Sequence, residues 1–168
     1  MLRIAITGPE SSGKTTLCRL LSEHFKVPFI SEYARTYLEN KSGVYKQSDL
    51  DFIAKEHLKN ILSSSHTVSI SDTDFSVLEI WSEYKFKKSS ELIKELASQD
   101  LFDLHILCRP DIPWVADELR ENEHSRYYLF ELYKASLTRH RKNFIEVDGS
   151  LENRIKKSVQ YIEELINL

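Results

Sequence analysis

Nine consecutive residues near the start constrain this chain more than any other feature: Gly8-Pro9-Glu10-Ser11-Ser12-Gly13-Lys14-Thr15-Thr16. They satisfy the spacing GxxxxGK[ST]. The apolar run Arg3–Thr7 precedes them, and a helical stripe of Leu17, Leu20, Leu21 and Phe25 follows. A glycine-rich turn between a strand and a helix has a physical meaning. Its glycines let backbone N–H groups turn inward with no Cβ in the way. The helix that begins near Gly13 adds the positive end of its dipole. The result is a cradle for a polyphosphate, bounded by Gly8 and Gly13 and lined by the amides of Glu10, Ser11 and Ser12. Lys14 supplies a point charge for the β- and γ-phosphates, the Thr15 hydroxyl is placed to ligate magnesium, and Thr16 can donate to the α-phosphate. The ligand expected here is ATP with Mg2+.

The remainder of the chain alternates short apolar runs with longer stretches of helical period. Strands are predicted at Arg3–Thr7, Pro28–Ser31, Thr67–Ser71, Leu104–Cys108 and Asn143–Val147. Leu50, Ile53, Ala54, His57, Leu58 and Ile61 form one helical stripe. Leu151, Ile155, Val159, Ile162 and Ile166 form another. Such alternation implies right-handed crossovers and a parallel sheet covered by helices on both faces. Ser48 with Asp51 reads as a capping box, and Ser150 as the cap of the last helix. The turn Asp148-Gly149-Ser150 is expected at the nucleotide edge of the sheet, where it can pass the adenine. Lys85–Ser90 reads as a solvated turn between helices, and His105 as a structural histidine within a strand.

A metal bound to a phosphate loop needs a carboxylate at the end of a neighbouring strand. Asp72 and Asp74 follow the third predicted strand, and either can serve. Asp72 is preferred for magnesium and Asp74 for a substrate hydroxyl; the competing structural role is that Asp72 or Thr73 caps the next helix. Phosphoryl transfer to an alcohol also wants a base near the attacking oxygen. Glu32 follows the second strand and is the candidate base, with Arg35 one helical turn on for substrate or phosphate. After the fourth strand, Arg109, Arg120 and Arg126 fall in a polar, proline-containing segment of about residues 109–128 that reads as a lid. Arg120 and Arg126 are its expected phosphate contacts, and Trp114 its candidate for stacking on a flat ring.

Composition narrows the alternatives. A length of 168 residues suits one domain, here taken as 1–168. No apolar run is long enough to span a bilayer, and the net charge of -3 weighs against a nucleic-acid partner. Cys18 and Cys108 lack metal-ligand spacing and read as buried thiols in a reducing compartment, which places the chain in the cytoplasm.

Taken in order, GPESSGKTTL, SEYARTYL, ISDTDF and RPDIPWVADELREN resemble the NadR-like ribosylnicotinamide kinases, over nearly the whole chain. The resemblance implies a P-loop NTPase of the nucleoside-kinase kind: a three-layer α/β/α sandwich with a five-stranded parallel sheet and a small helical lid. It implies transfer from ATP to the ribose 5′-hydroxyl of ribosylnicotinamide, by a kinase domain without the companion domains of that family. By motif match Gly8 to Thr16 would hold ATP, while Glu32, Tyr33, Arg35, Asp72, Asp74 and Trp114 would line the acceptor pocket. Ser31 departs from the pattern, which carries an aromatic residue there. The rival reading is a regulatory P-loop ATPase that acts as a switch on a protein partner; the small size and the acids at the acceptor edge favour the kinase.

Overall fold

The computed structural model describes all residues except Ser42, Gly43, Leu119, Glu121 and Leu168. Five strands, β1 (Leu2–Thr7), β2 (Phe29–Ile30), β3 (Val68–Asp72), β4 (Leu104–Cys108) and β5 (Phe144–Val147), form one parallel sheet in the order β2-β3-β1-β4-β5. The sheet is the expected one, with β2 shorter at both ends than its apolar run. The helices are α1 (Lys14–Phe25), α2 (Tyr33–Glu39), α3 (Gln47–Ser63), α4 (Phe75–Phe86), α5 (Glu91–Ser98), α6 (Arg126–Arg139) and α7 (Leu151–Ile166).

Side chains alternate across a strand, so β1 feeds two cores. Ile4 and Ile6 are fully buried against Leu17 and Leu21 of α1 and Ile162 of α7. Ala5 points the other way, into a core built by α3, α4 and α5 around Leu50, Ile53, Phe75 and Ile93. A third cluster joins Leu107 of β4 to Phe130 and Leu137 of α6. Each such fully buried aliphatic side chain contributes about 1.5–3 kcal/mol, and together they hold the carboxyl ends of β1 and β3 side by side.

Three local expectations change. The capping box of α3 lies two residues earlier: Lys46 N–H donates to Asp49 at 2.7 Å, and Asp49 N–H to the Lys46 carbonyl at 3.0 Å. Asp51 instead accepts from Ser90 Oγ at 2.6 Å, tying α3 to the cap of α5. On α7 the most deeply buried residues are Arg154, Ser158 and Ile162, whereas Leu151 and Ile166 are exposed. The helix is rotated to bring one arginine inward; Ile155 and Val159 still pack at the core's margin. Among its described residues the lid contains one 3-10 turn, Glu123–Ser125, runs into the first turn of α6 and is otherwise irregular; Leu119 and Glu121 lie outside the described residues. Ser150 caps α7 as expected, accepting from Asn153 N–H at 3.2 Å, and the two cysteines are free and buried.

Candidate active site

Chain order places the site. From β1 the chain passes to β2 at one edge, returns to β3 beside β1, then crosses to β4 on the other flank of β1. Ligands gather at the carboxyl edge of such a sheet, where the order reverses. The phosphate loop occupies that position, between β1 and α1.

Its backbone adopts the inward turn through positive φ at Gly8 (133°), Ser11 (51°) and Gly13 (86°). Gly8 has a second reason to be glycine: a Cβ there would lie 2.7 Å from the Cys108 carbonyl oxygen of β4. Ser12 Oγ donates to the Pro9 carbonyl at 2.8 Å, and Lys14 Nζ donates to the carbonyls of Gly8 and Pro9, each at 2.9 Å. The loop is thus closed on itself, with its ammonium along the inner rim.

Asp72, at the end of β3, is buried beside the first turn of α1. Thr15 Oγ1 donates to its Oδ2 at 2.6 Å, and its Oδ1 is buried with no hydrogen-bond partner among the described residues. Burial pushes the Asp72 carboxyl up from its ordinary range, and Lys14, the Thr15 hydroxyl and the Cys18 thiol pull it back. A buried carboxylate oxygen with an unspent lone pair, next to a threonine hydroxyl, is a hard-oxygen donor set of the kind magnesium takes when phosphates and waters complete its shell. Among the described residues no group of three or more His, Cys, Asp or Glu gathers around a metal position.

Glu32 stands at the N-terminal cap position of α2 without making a capping hydrogen bond. It lines the same cleft as Gly8, Glu10, Ser11, Ser12, Gly13 and Lys14, and so do Thr15 and Thr16. Burial raises the Glu32 carboxyl, Lys14 counters this, and Asp72 adds to it. Arg35 also borders the cleft. It bonds Asp117 at 2.5 Å and Glu39 at 3.2 Å, so its salt bridge reaches the lid rather than Glu32.

The lid is laid over the phosphate loop. Val115 N–H donates to Ser11 Oγ at 3.0 Å, and Asn122 donates to Glu10 through its backbone N–H (3.0 Å) and side-chain amide (3.2 Å). Arg120 faces the cleft while donating to the Val115 carbonyl. Arg126 spends one Nη on the carbonyls of Ser11 (3.1 Å) and Ile112 (3.0 Å), with its guanidinium 5.5 Å from the Trp114 ring centre. It braces the loop from outside and does not line the cleft. Trp114 borders an adjoining groove with Ala116 and Asp117 that shares Tyr84, Arg120 and Asn122 with the cleft. Arg109 pairs with Glu146 and Asp148 near β5.

Asp74, expected at a substrate hydroxyl, turns into the protein. It accepts from Thr7 Oγ1 (2.9 Å), Ser76 Oγ (2.7 Å) and Val77 N–H (3.3 Å), capping α4, with His105 Nε2 3.5 Å away. Burial lowers the pKa of His105, and the Asp74 carboxylate acts against that shift. The capping role considered for Asp72 or Thr73 therefore falls to Asp74. Tyr33 packs in an aromatic group with Tyr37 and Phe52 and does not line the cleft.

Two features of the site were not read from the sequence. The far wall of the cleft is built by α2, α4 and α6, with Ala34, Leu38, Ile80, Trp81, Tyr84 and Tyr133 among its residues. Arg154 of α7 is buried and grips three loops: it donates to the carbonyls of Ser12 (2.9 Å), Arg109 (3.0 Å) and Gly149 (3.1 Å), and pairs with Asp111. Its sequence signal was an arginine one turn after a Gly-Ser cap, on a helix otherwise read by its apolar stripe.

A family model described as an AAA domain matches residues 3–154. The trifunctional NAD biosynthesis/regulator protein NadR of Salmonella typhimurium is 30% identical over 97% of this chain, and the chain spans 42% of that protein's length. Among solved structures, a NadR protein in complex with NR superposes with a TM-score of 0.75 at 20% identity, covering 99% of this chain and 52% of that one. A deoxyadenosine kinase from M. mycoides with bound products superposes at 0.68 and 16% identity, covering 97% of this chain and all of the other. The phosphate loop, the parallel sheet and these likenesses agree: the chain belongs to the AAA domain family and has the P-loop fold shared by NadR and deoxyadenosine kinase.

Proposed function

We propose that the chain is an ATP-dependent small-molecule kinase that phosphorylates the ribose 5′-hydroxyl of ribosylnicotinamide or a similar nucleoside. The observation that carries this reading is the continuity of one cleft. Phosphate-loop residues, the acid Glu32 and a largely apolar wall with Leu38, Ile80 and Trp81 line the same cavity. An ATPase that only signals to a partner has no need of a chamber beside its γ-phosphate position. The 30% identity to NadR supports the substrate class.

The loop amides and Lys14 bind and orient the triphosphate, and Arg120 approaches it from the lid. Thr15 and Asp72 would hold Mg2+, which when bound neutralises charge on the phosphates. Glu32 accepts the proton of the acceptor hydroxyl; that oxygen bonds to the γ-phosphorus as the bond to the β-bridging oxygen breaks, and ADP leaves. A carboxylate whose pKa is raised by burial is a better base near neutrality than an exposed one.

The test is ATP turnover measured with a panel of nucleosides and magnesium. Stimulation by ribosylnicotinamide with formation of its 5′-phosphate is the expected result. ATP hydrolysis unaffected by every nucleoside would favour the switch.

A further inference from the structure

Trp81 stands four residues after Val77 on α4 and lines the cleft shared with the phosphate loop. Its indole Nε1 donates to the Tyr45 hydroxyl at 2.6 Å, and the two rings meet at 69° with centres 5.0 Å apart. Tyr45 is itself fixed: Phe86 lies edge-on at 5.9 Å, and the Lys85 ammonium sits 4.1 Å from its ring centre. The one polar atom of the indole is therefore spent within the protein. What Trp81 offers a ligand is π surface.

Of its neighbours on that wall, Ala34, Leu38, Val77 and Ile80 carry no side-chain donor or acceptor, and Tyr84 and Tyr133 carry one hydroxyl each. Three of the polar groups bordering the cleft are engaged within the protein: Arg35 with Asp117 and Glu39, Asn122 with Glu10, and Arg120 with the Val115 carbonyl. Reading the edge of a base requires donors and acceptors free to pair with it, because leaving the edge unpaired costs affinity. This wall instead suits stacking, which tolerates any flat ring.

We propose, building on the kinase reading, that Trp81 holds the acceptor's ring. The acceptor is then a nucleoside selected by the flatness of its heteroaromatic ring, and Tyr45 is a positioning residue that sets the plane of the indole.

The experiment compares acceptor KM and ATP KM in wild type, Trp81→Leu, Trp81→Phe and Tyr45→Phe, using ribosylnicotinamide or whichever panel nucleoside is phosphorylated. Trp81→Leu is expected to raise acceptor KM about 5- to 150-fold, the span of one base–aromatic stack, while ATP KM stays within about twofold. Trp81→Phe restores most of the loss. Tyr45→Phe keeps the ring but frees the indole, and raises acceptor KM by a smaller factor. The chain has two tryptophans, so in a Trp114→Phe background acceptor titration is expected to change the fluorescence of Trp81 alone. An acceptor KM unchanged by Trp81→Leu, or no fluorescence response in that background, overturns the assignment and leaves the kinase reading standing. A wild type that phosphorylates no nucleoside overturns both.

Discussion

Thr15 and Asp72 are joined by a 2.6 Å hydrogen bond that links the first turn of α1 to the end of β3. The two residues are 57 positions apart in sequence, and the parallel pairing of β1 with β3, Ile6 opposite Asp72, brings them together. The bond uses one carboxylate oxygen and leaves the other buried and without a hydrogen-bond partner among the described residues.

Asp72→Asn keeps the shape of the side chain and removes its charge. An amide is a far weaker magnesium ligand than a carboxylate. Turnover at fixed ATP is expected to fall by about 100-fold, within the range seen when an electrostatic group at a transferring centre is lost, and the magnesium concentration for half-maximal rate is expected to rise. Magnesium titrations of wild type and variant check both. An unchanged magnesium dependence would remove Asp72 from the metal site.

Glu32→Gln is expected to bind ATP normally and lose transfer by about 100-fold or more, the usual worth of a general base. Its pH behaviour is a second test. Burial raises the carboxyls of Glu32 and Asp72, so between the ordinary carboxylate range and these raised values the folded chain holds more protons than the unfolded one. Stability therefore falls as pH rises through that window. Glu32→Gln removes one of the two groups and should flatten the fall, seen as a smaller loss of Tm with rising pH. Transfer by the wild type should run the other way, rising with pH as Glu32 ionises.

How far the sequence foretold this structure differs by element, for physical reasons. The strands, the phosphate loop and the stripes of α1 and α3 were legible because each has one environment: β1 and β4 are buried on both faces, and α3 buries Leu50, Ile53, Ala54, His57 and Ile61 on a single side. The cleft wall was not. α4 buries Phe75, Ser76, Val77, Leu78, Glu79 and Ile80 in succession, so it shows no amphipathic period from which to read Trp81 as facing a cavity. On α6 the exposed Tyr127 and Tyr128 precede the buried Leu129 and Phe130, which blurs the stripe. Asp74 and Arg126 were identified as polar groups near the phosphate edge, but sequence spacing carries no direction. One turns toward Thr7 and Ser76, the other toward backbone carbonyls.

Gly8→Ala tests the packing of the loop against β4. A Cβ at Gly8 would sit 2.7 Å from the Cys108 carbonyl oxygen, a backbone atom, and the φ of 133° is one that L side chains rarely adopt. Conformational strain of this type costs about 1–3 kcal/mol, and relief requires the loop to leave β4. Denaturant unfolding should show that loss of stability, and nucleotide titration should show weakened ATP binding with it. Gly149→Ala also sits at positive φ (71°), but its Cβ would meet only the Asn153 side chain, at 3.6 Å; it should destabilise less and leave ATP affinity nearly unchanged.

Arg154 gives the most demanding test, because it acts on the phosphate loop from outside the cleft. Its guanidinium is buried, pairs with Asp111, and satisfies carbonyls of Ser12, Arg109 and Gly149, which belong to three separate loops. Arg154→Met retains the length of the stem but takes the cation from Asp111, which keeps the Gly149 N–H at 2.7 Å, and removes a donor from three carbonyls. Removing one partner of a buried ion pair costs about 3–5 kcal/mol; since Asp111 keeps partial access to water, a loss near about 3 kcal/mol is expected in denaturant unfolding. Arg154→Lys should recover little, because one ammonium cannot reproduce a planar fork that reaches carbonyls in different directions. The kinetic signature separates positioning from simple loss of stability. Ser12 lies in the phosphate loop, whereas the wall proposed to hold the acceptor is built from α2, α4 and α6, so ATP KM should rise well before acceptor KM does, at temperatures where the variant is fully folded. Equal rises in both would mean that Arg154 supports the fold as a whole and has no particular hold on the nucleotide side.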